Sequence, residues 1–145
     1  MRYLTVQDVI WIHSLMAETP GSFDYSRLEE ACFYQYGYGA SIDLPAQAAR
    51  FLAGFITKSP FATRNVATAL ASFAAFLLMN GKRLDVDTRH AIELAMHPEA
   101  LTAESLEAKL ADSDGHEPPG VEEAVGRVFE QFHEAIDSLS DRKAA

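Results

Sequence analysis

The side chains best placed to do chemistry lie together at one junction, Lys58-Ser59-Pro60-Phe61-Ala62-Thr63-Arg64-Asn65. Asn65 opens a long apolar run, so it stands where a helix begins. There the helix dipole and the unpaired N–H groups favour an anion. Arg64 and Lys58 add positive charge on either side. This combination suits weak binding of a phosphate or a nucleotide such as ATP. The plain alternative is that Asn65 is an ordinary helix cap and Arg64 a solvated surface residue. Ser59 contributes a hydroxyl, which has no useful basicity at neutral pH and cannot by itself serve as a general base.

Elsewhere the chemistry-bearing residue types lack the spacing they need. The five histidines, His13, His90, His97, His116 and His133, show no two-His helix pattern with an intervening acid, and Cys32 is the only cysteine, so no metal site is expected. His13 falls on the apolar face of the first predicted helix and reads as a hydrogen-bonded core residue. Cys32 reads as a buried small hydrophobe. The neighbouring carboxylates Glu29 and Glu30, and Glu122 and Glu123, diverge by about 100° around a helix and read as solvated faces. No Gly-rich phosphate loop or Gly-x-Ser-x-Gly elbow occurs.

The elements that must position these residues are helices. Thr5 with Asp8 starts the first, to about Glu18, and Pro20-Gly21 breaks it. Ser26 with Glu29 has the capping-box pattern for a second, stopped by Gly37 and Gly39. Asp43 caps a third with Pro45 in its first turn, and Pro60 ends it near residues 57–59. Residues 63–79 are apolar nearly all round, the mark of a buried central helix, and Asn80-Gly81 supplies a left-handed cap. Shorter helices are predicted over 87–96 and 102–111. After a polar connector at 112–120, residues 121–139 trace a clean amphipathic stripe of Val121, Val125, Val128, Phe129, Phe132, Ile136 and Leu139. Only residues 34–41, with alternating tyrosines and glycines, suit a short hairpin or an extended loop.

At 145 residues and 48% hydrophobic content the chain is sized for one domain with a proper core. The amino terminus lacks the apolar stretch of a signal peptide, and the longest apolar run, 67–79, is too short to span a bilayer. With a single cysteine, these features predict a cytoplasmic protein that does not enter membranes. A net charge of −9 opposes a phosphate backbone. Lys58 with Arg64 and Lys82 with Arg83 are the only small basic patches, so nucleic-acid binding is not expected.

The segment from Phe55 to Gly81, in which a helix, a Pro-Phe loop and an Asn lead into a buried helix ending Asn-Gly, resembles the core of the Fic/Doc family. That family carries His-x-Phe-x-(Asp/Glu)-(Gly/Ala)-Asn-x-Arg. In this chain Ser59 stands for the His, Phe61 for the Phe, Thr63 for the acid, Arg64 for the small residue, Asn65 for the Asn and Ala67 for the Arg. The resemblance extends to short Doc-like members through the opening at 4–13 and covers about residues 1–111. It implies an all-α bundle around the central helix, with at most one short β-hairpin flap, and transfer of AMP or phosphate from a nucleotide to a protein hydroxyl.

The departures remove that chemistry. A hydroxyl replaces the base, Thr63 offers Mg²⁺ no carboxylate, Arg64 crowds the phosphate cradle and Ala67 deletes the bidentate grip. Losing a general base alone forfeits about 10²- to 10⁴-fold in rate. The expectation is therefore a non-catalytic Fic/Doc-fold protein that works through a protein partner or as a homodimer, in a toxin–antitoxin-related setting. No catalytic residue is assigned among the motif positions, and no cofactor is expected. The alternative is an atypical nucleotide-dependent transferase or a weak nucleotide binder using Arg64, Asn65 and Lys58.

The resemblance further implies that residues 34–41 form a flap over the loop at 59–65; the alternative is a loop whose tyrosines pack on the bundle. Residues 1–111 are expected as the helical domain, 112–120 as a connector and 121–145 as an added amphipathic helix and tail. That helix would fold back on its own bundle or be presented to a second copy.

Overall fold

The computed structural model describes residues 1–17, 22–37, 42–113, 115 and 117–140. Seven α-helices account for most of them: α1 Val6–Ser14, α2 Tyr25–Phe33, α3 Leu44–Lys58, α4 Asn65–Met79, α5 Thr88–Met96, α6 Ala103–Glu107 and α7 Val121–Ser140. Two short strands, β1 Lys82–Leu84 and β2 Leu110–Asp112, form one antiparallel pair with Lys82 opposite Asp112 and Leu84 opposite Leu110. The fold is all-α with this one small sheet, and no helix among the described residues is long and apolar enough to cross a membrane.

All fifteen residues of α4 are buried, as a helix without a polar face requires. Helices α1, α3, α5 and α7 pack around it. Phe51, Phe55, Phe73, Phe76 and Phe132 are among the largest fully enclosed side chains. Each such ring contributes about 1.5–3 kcal/mol by leaving water. Helix α7 lies along α4 and α5, burying Ala124, Val125, Val128, Phe132, Ala135, Ile136 and Leu139 in the same core. Its backbone departs from helical geometry at Phe132 (φ −116°, ψ 21°). Gln131 Nε2 ties it to β1 by donating to the Leu84 carbonyl at 2.9 Å.

Helix α1 ends at Ser14, short of the expected Glu18, which lies outside the described residues, and α4 starts at Asn65 rather than residue 63. Local signals explain most of the other helix boundaries, with three further corrections. Thr5 and Asp8 form the expected capping box of α1, and Asp43 caps α3 with Pro45 in its first turn. Helix α2, however, starts two residues earlier than Ser26 suggests, because the Asp24 carboxylate accepts from the Arg27 N–H at 3.1 Å. The predicted helix over 102–111 stops at Glu107, and Leu110 belongs to a strand. Gly81 (φ 87°) redirects the chain so that β1 meets β2, and a three-residue strand is too short to show alternation in sequence.

The third correction concerns the flap. Residues 38–41 of the expected hairpin lie outside the described residues, and Tyr34–Gly37 is not a strand but the end of α2 and the turn after it. The Tyr34 ring lies so close to Gly54 on α3 that a β-carbon there would overlap it. The Tyr36 ring packs 4.3 Å from Tyr3, which stacks on Phe76 towards the far end of α4 from the loop.

Candidate functional site

The loop between α3 and α4 is entered and left through strained backbone. Ser59 (φ 44°) and Arg64 (φ 60°) are the two non-glycine residues with left-handed backbone among the described residues, and they bracket the hexapeptide. Each such residue costs about 1–2 kcal/mol and persists only where its surroundings hold it.

Those surroundings can be traced atom by atom. The Asn65 side chain, buried at 5% exposure, clamps the loop in both directions: its Oδ1 accepts from the Phe61 N–H at 2.9 Å and its Nδ2 donates to the Phe61 carbonyl at 2.8 Å. Phe61 is buried between Phe55 and His13, and the imidazole stacks flat on its ring at 3.9 Å and 3°. The His13 Nε2 lies 3.1 Å from the Thr63 carbonyl. A carbonyl only accepts, so this nitrogen carries the proton. Burial lowers the His13 pKa below its ordinary 6.5; the Thr63 carbonyl opposes that shift and the Arg64 guanidinium adds to it.

The outer edge of the loop is also occupied. Phe23 and Phe61 form an isolated antiparallel bridge, in which the Asp24 N–H donates to the Pro60 carbonyl at 2.9 Å and the Ala62 N–H to the Ser22 carbonyl at 3.0 Å. The segment that crosses the loop is therefore 22–24, ahead of α2, rather than Tyr34–Gly37.

The remaining motif positions are absorbed by the fold. The Ser59 hydroxyl donates back to the Ile56 carbonyl at 2.6 Å, and Ala67 is wholly buried. Thr63 is exposed, and among the described residues its hydroxyl meets only the Arg64 Nη1 at 3.4 Å. Lys58 turns towards α2 and pairs with Glu30, whose carboxylate raises the lysine pKa, while Arg27 Nε donates to the Lys58 carbonyl at 2.8 Å.

Of the three residues proposed to hold an anion, Asn65 is thus committed to the loop and Lys58 to Glu30. Arg64 alone stands at the start of α4, which has no side-chain cap. Its Nε is buried without a hydrogen-bond partner. The two residues that sequence reasoning did not connect to the loop are His13 and Phe23. The apolar face of α1 marked His13 as buried, but nothing in the chain's local pattern marks Phe23.

Other reactive groups are quiet. Cys32 is buried, and desolvation, helped by Asp8 and Glu29, pushes its pKa up to about 12, so the thiol stays protonated and a poor nucleophile. Among the described residues no cluster of three or more His, Cys, Asp or Glu could hold a metal ion. No protein-family model, no curated protein and no solved structure matches this chain.

Proposed function

We propose that the chain is a non-catalytic protein on a Fic/Doc-like scaffold, acting through protein interaction or regulation, with AMP or phosphate transfer lost. One observation carries this reading: the Asn65 amide, the Ser59 hydroxyl and the backbone edge of the loop are spent on the loop's own architecture. The Asn65 amide is closed on Phe61, the Ser59 hydroxyl on Ile56, and the loop's backbone edge on Ser22 and Asp24. The imidazole at the loop, His13, is buried at 3% exposure and stacked flat on Phe61 with its Nε2 proton engaged by Thr63, so it is not presented to a target hydroxyl as a base. A cytoplasmic location and a protein partner in a toxin–antitoxin-related setting belong to the same proposal.

The test is incubation with labelled ATP, GTP, CTP and UTP, Mg²⁺ or Mn²⁺, and cell lysate. No transfer of label is expected. Label on any protein that disappears with Ser59→Ala or Arg64→Ala would overturn the reading. A second reading, a weak nucleotide or anion binder, draws on the uncapped start of α4 and the unpartnered Arg64 Nε. Calorimetric titration with ATP distinguishes it, because binding that is lost in Arg64→Ala would favour it.

A further inference from the structure

Helices α1 and α7 both pack on α4, and between them an open groove runs the length of α1. At one end it is lined by Asp8, Trp11, Glu122 and Glu123, in the middle by Trp11, Leu15, Val125 and Phe129, and at the other end by Leu15, Met16, Arg64 and Asp137. The order of these residues shows that the two helices run in the same direction. Phe129 belongs to the amphipathic stripe of α7 but is only partly buried, packing against the core and also lining this groove. Across from it Trp11 and Leu15, one turn apart on α1, are 38% and 49% exposed. Gly126 borders the middle, and a β-carbon placed there would meet nothing within 4 Å.

We propose that this groove receives an amphipathic helix of a partner protein, with apolar residues at helical spacing and Lys or Arg gathered towards one end. The inference rests on the interaction role given above and assigns it a surface. Two parallel ridges with an apolar floor fit a third helix laid between them. Charge selects its character. The first turns of α1 and α7 bring Asp8, Glu122 and Glu123 to one end of the groove; Glu123 is paired with Arg127 at 2.7 Å, while Asp8 and Glu122 have no ion-pair partner among the described residues. An apolar helix bearing cations at that end is complementary, and an acidic one is repelled. A second copy is a poor occupant, since it brings the same net charge of −9, and no described helix of it carries more than two Lys or Arg.

Trp11 is the only tryptophan, so its emission reports directly on the groove. The probe is a synthetic peptide of about 18 residues, long enough to lie along α7. It has leucines every three or four positions and lysines in its last two turns. Titrated into the full chain, it is expected to shift Trp11 emission to the blue and to saturate. The same peptide with glutamates for lysines, and a scrambled version of the lysine peptide, should bind at least about tenfold more weakly, as should the protein variant Glu122→Lys/Glu123→Lys.

Gly126→Leu should fill the groove and weaken binding by about tenfold or more while keeping or raising the thermal midpoint, because the space is open and leucine is the better helix former. An unchanged Trp11 spectrum would overturn the proposal. So would equal binding by the scrambled peptide or by Gly126→Leu. Light scattering that shows a dimer dissociated by Gly126→Leu would assign the groove to a second copy and refute the partner helix. Label transfer in the nucleotide assay would instead sink the non-catalytic reading and leave this titration standing.

Discussion

Both ends of α4 are fastened in the same way, by an asparagine whose side-chain amide pairs with the N–H and the carbonyl of one backbone residue. At the start, Asn65 holds Phe61; at the end, Asn80 holds Arg2, accepting from its N–H at 2.8 Å and donating to its carbonyl at 2.9 Å. The ends differ in what surrounds the clamp. The Asn65 pairing is buried under Phe61 and His13, and the chain reaches it through a left-handed arginine. The Asn80 pairing is exposed, and the left-handed position beside it is Gly81, which adopts φ 87° without strain. The far end is therefore a relaxed termination, whereas the near end stores strain held in place by buried polar contacts. That contrast sets apart the loop at 59–64 without reference to any catalytic motif.

The largest expected effect comes from removing the two clamps in turn. Asn65→Ala leaves the N–H and carbonyl of Phe61 buried without partners and should cost about 3 kcal/mol. Asn80→Ala exposes its partners to water and should cost about 1 kcal/mol. Urea unfolding of both variants measures the difference, and equal losses would erase the distinction between the ends.

Acidity probes the near end alone. Because burial holds the folded pKa of His13 below 6.5, the unfolded chain takes up a proton there first as pH falls. Its contribution to stability is whole above pH 6.5. It declines below that, by at most about 1.4 kcal/mol per pH unit, until the folded pKa is reached. Asp87 and Asp112, whose pKa values their partners His90 and Lys82 hold below 3.8, lose stability at more acidic pH. Unfolding midpoints from pH 7 to 5 should therefore fall in the native chain and stay nearly flat in His13→Gln. Parallel slopes in the two proteins would mean that the stacked imidazole is not the sensing group.

The smallest expected effects have opposite signs at the two ends. Gly81→Ala forces a β-carbon into a left-handed position and should destabilise by about 1 kcal/mol, while Arg64→Gly relieves such a position and should stabilise by about 0.5–1 kcal/mol. Thermal unfolding read by circular dichroism resolves shifts of this size. Destabilisation by Arg64→Gly would show that the arginine side chain, rather than its backbone, holds the loop.

Much of the scaffold could be read before folding because its signals are local. The Thr5 and Asp43 caps, Pro45 and Pro60, the apolar run of α4 and the stripe of α7 each act within a few turns of their own helix. Where the signal is short or borrowed from elsewhere, the reading failed. Strand β2 exists because Gly81 turns the chain so that Lys82 meets Asp112, thirty residues later, and it looked helical in isolation. The loop residues were placed at the right junction, but their roles were not legible. Asn65 looked like a cap and Lys58 like a neighbour for an anion, whereas one clamps Phe61 and the other pairs with Glu30.

By itself the sequence determined most of the helices and the buried character of α4. These follow from side-chain type and periodicity, which are properties of neighbours along the chain. Only the tertiary structure decided that His13 lies under the loop, that Phe23 bridges it and that Trp11 and Phe129 face each other across an open groove. Those pairs are separated by 38 to 118 residues in the chain. Hydrophobic burial carries no direction of its own, so their meeting was fixed only when the helices were packed around α4.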